Sequence, residues 1–142
     1  MSTPLYLLDT NIVSDAMRHP FGAVAQRILA QRPDDANIFA ISMVVQCELL
    51  YGLARKSSPR LQTAYDTYLP SLRVLPLDDT VPPHYAALRA HLEAQGQPIG
   101  PNDALIAAHA LALGATLVSG DDEFARVPGL KVENWLQPRE TT

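Results

Sequence analysis

Short apolar runs alternate along this chain with longer stretches of helical character, and that alternation leaves few folds open. Leu5-Tyr6-Leu7-Leu8, Ile38-Phe39-Ala40-Ile41, Arg73-Val74-Leu75 and Thr116-Leu117-Val118-Ser119 each have strand length, and a last short run lies near Lys131-Val132. The first has no polar interruption, as expected of a strand covered on both faces. Helices between successive strands imply parallel pairing, because a parallel partner is reached only by a crossover. The expected architecture is α/β, a central, mostly parallel, twisted sheet of about five strands flanked by helices on both faces. At 142 residues the chain suits one domain with a substantial core. That domain is expected over residues 1–137, followed by a polar and mobile tail over 138–142.

The helices are placed by their caps, breakers and periodicity. Ile12 to Arg18 stops before His19-Pro20, and Phe21 to Ala30 presents Phe21, Val24, Ile28 and Leu29 as an apolar stripe before Pro33-Asp34-Asp35. Ser42 is a suitable N-cap for a helix running to about Lys56, whose inward positions are Val44, Val45, Leu49 and Leu53. Glu48 falls among those apolar residues. Further helices are expected over Arg60 to Tyr68, after a cap at Asp78, Asp79 or Thr80 with a body over Tyr85 to Gln95 ending at Gly96, and over Ala104 to Leu113 closed by Gly114.

Composition narrows the function classes only slightly. The single cysteine, Cys47, excludes an intramolecular disulfide and a multi-cysteine zinc site, and is expected to be buried and structural. No segment has the length of a membrane span, and the N-terminus lacks a signal-like pattern, so a cytoplasmic setting is expected. The net charge of −4 argues against a broad basic surface. It does not exclude a nuclease, because carboxylates that hold a divalent ion add to the negative count and are neutralised where phosphate approaches.

The chemistry lies in acids that this topology can bring together. Asp9 follows the first strand, Asp103 opens a helix, Asp121 follows the fourth strand, and Glu48 can join them from its helix. Two such charges about 4 Å apart repel by roughly 4 kcal/mol at an effective dielectric of 20. A cluster therefore protonates or holds a cation, and hard oxygen donors suit Mg²⁺ or Mn²⁺. Each acid also has a plainer reading: Asp9 as a strand end, Asp103 as an N-cap, Asp121 with Asp122 and Glu123 as a solvated turn. Thr10, Asn11, Asn102 and Ser119 can orient the carboxylates or cap turns. Arg55, Lys56 and Arg60 can contact a phosphate backbone or complement a helix end. The four histidines, His19, His84, His91 and His109, lack ligand spacing.

Four stretches together resemble a known family: Leu7-Leu8-Asp9-Thr10-Asn11, Gln46-Cys47-Glu48-Leu49-Leu50-Tyr51-Gly52, Ile99-Gly100-Pro101-Asn102-Asp103-Ala104-Leu105-Ile106-Ala107-Ala108-His109-Ala110, and Phe124-Ala125-Arg126-Val127-Pro128-Gly129-Leu130-Lys131-Val132-Glu133-Asn134-Trp135. In this order and at this spacing they are similar to PIN domains of the VapC toxin type, over nearly the whole chain. The resemblance implies a PIN-like fold and a Mg²⁺- or Mn²⁺-dependent endoribonuclease, toxin of a type II toxin–antitoxin pair, that hydrolyses RNA by metal-activated water. It implies a homodimer and an antitoxin of the VapB type as partner. It assigns catalytic and metal-binding roles to Asp9, Glu48, Asp103 and Asp121. The family often has Thr-x-Asp or Thr-Asn-Asn where this chain reads Ser119-Gly120-Asp121-Asp122-Glu123, so the fourth acid could be Asp121, Asp122 or Glu123. A non-cleaving RNA- or protein-binding PIN module and a DNA-directed nuclease are the alternatives. A phosphatase that places Asp after a strand is disfavoured, because the position where it needs its second acid is Asn11.

Overall fold

The computed structural model describes residues 4–31 and 38–136. The expected tail over 138–142 and the breaker Pro33-Asp34-Asp35 lie outside the described residues. Five strands form one parallel sheet: β1 (Leu5–Leu8), β2 (Ile38–Ser42), β3 (Arg73–Leu75), β4 (Thr116–Val118) and β5 (Lys131–Glu133). Their spatial order is β3-β2-β1-β4-β5. Six helices surround them: α1 (Thr10–Arg18), α2 (Ala23–Leu29), α3 (Met43–Lys56), α4 (Pro59–Tyr68), α5 (Val81–Ala94) and α6 (Pro101–Leu113).

β1 is the middle strand, pairing Leu7 with Ala40 of β2 on one side and with Leu117 of β4 on the other. The chain moves outward from β1 to β3, then returns to β4 across the starting strand. The order thus reverses between β1 and β4. Such a reversal opens a crevice at the carboxyl ends of the two strands, because the connections leave them in opposite directions. Asp9 and Ser119 are the first residues past those ends.

The core explains why this register is stable. Leu7, Leu8, Ala40, Ile41, Leu117 and Val118 are fully buried, and they meet Ile12 and Val13 of α1 and Ile106 and Ala107 of α6 within one apolar cluster. The small residues Ala104, Ala107, Ala108 and Ala110 of α6 are buried in that cluster. Tyr6 of β1 and its β2 neighbour Phe39 form an aromatic group with Trp135, with ring centroids 5.1 to 6.0 Å apart, and the Arg27 guanidinium lies 3.8 Å from the Trp135 ring centroid.

Several local expectations are corrected. Phe21 is 90% exposed, because α2 begins only at Ala23, after a Gly22 cap, and Leu29, the last residue of that helix, is 49% exposed. Cys47 is exposed rather than buried, since it lies on the outer face of α3. α5 begins at Val81, directly after Thr80, one of the three residues expected to cap it, and carries Pro82 and Pro83 in its first turn. Proline is tolerated there because those amides have no helical partner to lose.

Ser42 joins three elements at the carboxyl edge. Its Oγ accepts from the Val44 amide, capping α3, and lies 2.8 Å from Nδ1 of the buried His109 in α6. The His109 ring also bonds the backbone of Pro76, which has only a carbonyl to offer, so that ring nitrogen donates and Nδ1 accepts from Ser42. Burial holds this imidazole below its usual pKa, and hence neutral. Ser42→Ala is expected to cost about 2 kcal/mol in urea unfolding, from the lost cap and the unpaired ring nitrogen. Ser58→Ala, which removes only the cap on α4, should cost about half as much.

Candidate active site

Asp9 is set by the turn from β1 into α1. Its amide donates to the Val118 carbonyl at 2.8 Å, continuing the β1–β4 ladder by one residue, and its Oδ1 accepts from the Thr10 amide at 2.8 Å. Oδ2 accepts from the Ser119 hydroxyl at 2.8 Å. The carboxylate is only 5% exposed. Asp9 does end the strand, and there one of its oxygens caps α1 while the other joins a network.

Ser119 is the hinge of that network. While its hydroxyl donates to Asp9, its oxygen accepts from the Asp121 amide at 3.0 Å, fixing the turn that follows β4. Asp121 then caps the 3-10 turn Asp122–Arg126, its Oδ1 accepting from the Glu123 amide at 2.9 Å. The Gly120 amide donates to Asn11 Oδ1 at 3.3 Å, tying the same turn to α1. Glu48 comes from α3, where it is half-buried, and its Oε1 accepts from the Thr10 hydroxyl at 2.8 Å. Thr10, Asn11 and Ser119 therefore act on the acids or their turn, as expected. Asn102 is exposed and holds none of them among the described residues.

Asp103 does not cap α6. The N-cap is Gly100, and Asp103 stands in the first helical turn, half-buried, where the positive end of the helix favours an anion. Among the described residues its carboxylate accepts no hydrogen bond. Oxygens of Asp103, Asp121 and Glu123 lie within 4.8 Å of one another. Glu123 is thus brought into the cluster beside Asp121, while Asp122 faces solvent. The sequence left these three acids undivided, because the 3-10 turn that separates them has no strong local signal.

The electrostatics fit that geometry. Burial first, then the charges of Asp9, Asp121, Glu48 and Glu123, push the Asp103 carboxyl up to about 6. Asp9 is raised chiefly by burial and less by Glu48 and Asp121, against the hydrogen bonds from Ser119 and Thr10. All five acids therefore share one electrostatic environment. A hard divalent cation suits this donor set, which offers carboxylate oxygens and no imidazole or thiolate. The unpaired, half-buried Asp103 is the residue with most to gain from one.

The basic residues are less united than their sequence spacing suggests. Lys56 lines a groove beside Arg18, Thr10 and Glu48, and Arg60 approaches the Arg18 carbonyl at 3.5 Å. Arg55 instead turns toward the Tyr51 ring, 5.9 Å from its centroid. Arg18 takes the place in the group that the sequence offered to Arg55.

The PIN domain family profile matches residues 6–130. Ribonuclease VapC2 of Rickettsia felis is 39% identical over 135 residues, covering 92% of this chain and 98% of the relative. The tRNA(fMet)-specific endonuclease VapC of Shigella flexneri is 33% identical over 132 residues, covering 92% and 97%. Among solved structures, VapBC2 from Rickettsia felis bound to a DNA fragment from its promoter superposes with a TM-score of 0.83 at 36% identity, covering 92% of this chain and 98% of the other.

The raised pKa of Asp103 has a definite consequence for stability. Its folded form binds a proton more tightly than the unfolded chain, so its contribution is complete below about pH 4 and is lost as pH rises through 6. In chelator, the melting temperature of the wild type relative to Asp103→Asn should fall by about 3 °C between pH 4 and 7, equivalent to about 1 kcal/mol after solvent screening. Taking the difference removes the opposite slope from His109. Mn²⁺ at pH 7 should restore the wild type and leave the variant unchanged.

Proposed function

This chain belongs to the PIN-domain family, and on that footing we propose that it is a metal-dependent endoribonuclease of the VapC type, the toxin of a type II toxin–antitoxin pair. The observation that carries the reading is the carboxylate cluster at the β1–β4 edge, in a chain aligned along nearly its whole length with VapC ribonucleases. Asp9, Glu48, Asp103 and Asp121 are the proposed catalytic and metal-binding acids, and the position of Glu123 adds a fifth. Residues 1–137 form the nuclease domain in this reading, which acts in the cytoplasm as a homodimer and is held inactive by an antitoxin of the VapB type. Among the described residues no helix is long and apolar enough to cross a membrane.

A bound Mg²⁺ or Mn²⁺ supplies Lewis acidity and a nucleophilic water at neutral pH. The protein's part is to hold and orient. Asp9 and Asp103 are the main anchors, one fixed by two hydrogen bonds and the other left unpaired by the fold. Ser119 keeps Asp9 in one rotamer and sets the turn that presents Asp121. Thr10 binds one oxygen of Glu48, leaving the second to orient the attacking water in line with the phosphodiester. No side-chain nucleophile is required.

Purified protein should cut a mixed transfer and ribosomal RNA pool at few sites in Mg²⁺ or Mn²⁺ and leave it intact in EDTA. The fragments should carry 5′-phosphate and 3′-hydroxyl ends, read by end-specific ligation. Asp9→Asn and Asp103→Asn should each slow cleavage roughly 10³-fold, a barrier increase of about 4 kcal/mol, while melting cooperatively. RNA left intact by folded, metal-loaded wild type would sink the proposal.

A further inference from the structure

Of the five acids, Glu48 also lines a groove whose other walls the metal chemistry does not use. It is a solvent-open slot of about 90 Å³ between α1, α3 and α4, and Thr10 and Glu48 form its near end. Met17, Leu49, Leu53 and Leu61 supply an apolar floor, and Arg18 and Lys56 stand at the rim. The slot therefore runs from the place where a phosphate would be cut, across an apolar surface, to a pair of cations.

Gly52 gives a second, independent observation. It lies in the interior of α3 and lines the slot. Glycine in a helix interior costs about 1 kcal/mol relative to alanine, and it is normally kept for a positive φ or a close approach of other atoms. Neither applies among the described residues. Its φ is not positive, and a Cβ added there would meet none of their atoms within 4 Å. The space over Gly52 is open, which leaves room for something that enters from outside.

We propose that this slot holds one nucleotide of the RNA beside the scissile phosphate, its base lying over Gly52 on the apolar floor and its own phosphate against Arg18 and Lys56. The inference rests on the ribonuclease reading and adds the subsite that would select the cleavage position. Unstacked bases of single-stranded RNA are held by apolar or aromatic surfaces, and phosphates by Arg and Lys. Glu48 lines the slot and so joins it to the acidic site, and the rim charge is complementary to an anion. Arg60, beside Arg18, extends the same positive edge.

Gly52→Leu fills the slot while raising helix propensity, so it should melt no lower than the wild type and bind Mn²⁺, followed by electron paramagnetic resonance, with unchanged affinity. On the RNA pool in Mn²⁺ its KM should rise at least about 10-fold and the mapped cleavage positions should change. Arg18→Ala and Lys56→Ala should each lower the slope of RNA affinity against salt concentration by about one unit. Unchanged KM, salt slope and cleavage positions in all three variants, with an active wild type, overturn the subsite and leave the ribonuclease reading standing. A Gly52→Leu protein that cleaves as the wild type but no longer binds its antitoxin also overturns it, and gives the groove to a protein partner. An inactive wild type defeats both readings, and is distinguished by its intact RNA.

Discussion

Carboxylates brought within a few ångströms of one another repel, and the elements around this site are arranged to hold them in spite of it. The restraint is mostly covalent and hydrogen-bonded. Asp9 is held by the β1–β4 ladder and by its own helix, Asp121 by the turn after β4, Glu48 by Thr10, and Asp103 by the rigid start of α6. The Ser119 hydroxyl joins two of these restraints, since it touches Asp9 as donor and the Asp121 amide as acceptor. The result is a preorganised negative cavity whose stability is worst when every acid is ionised and empty-handed. That is the electrostatic condition in which a divalent ion binds with most effect.

The sheet order supplies the place for this arrangement. A strand pair at which the chain direction reverses has connections leaving on both sides, so short polar residues just past the strands face a crevice and not a covering helix. Asp9 and Ser119 occupy those positions because β1 and β4 are neighbours in space though more than a hundred residues apart in sequence. The Ser42–His109 contact performs a parallel service one strand away, coupling the start of the Glu48 helix to the helix that carries Asp103. The two helices that bring acids to the site are thus fixed to each other below it.

Much of this was legible because the signals are local. An apolar run ending in Asp9, a serine cap at Ser42 and a glycine stop at Gly114 can each be read within a few residues, and the helix–strand alternation then dictates parallel pairing. What the sequence withheld depended on tertiary distance or on backbone detail. Cys47 shares its helix with buried leucines, and only the rotation of α3 decides that it faces outward. Phe21 looked like the start of an apolar stripe, but the Gly22 cap moved the helix beyond it. Asp103 and the Gly100 cap are separated by one turn, a difference that changes Asp103 from a capping group into an uncommitted carboxylate. Glu123 could not be told from Asp122 until the 3-10 turn sent one toward Asp103 and the other to solvent.

The central position of β1 also governs when the site can exist during synthesis. Asp9 leaves the ribosome well before its partners: the strand that positions it on its far side, the serine that binds it and the turn bearing Asp121 and Glu123 are made more than a hundred residues later. A chain halted before β4 has the first acid but neither the ladder nor the hydroxyl that fixes it. Premature termination or clipping in that region yields a fragment without the assembled cavity, so the fold couples completeness of the polypeptide to its chemistry.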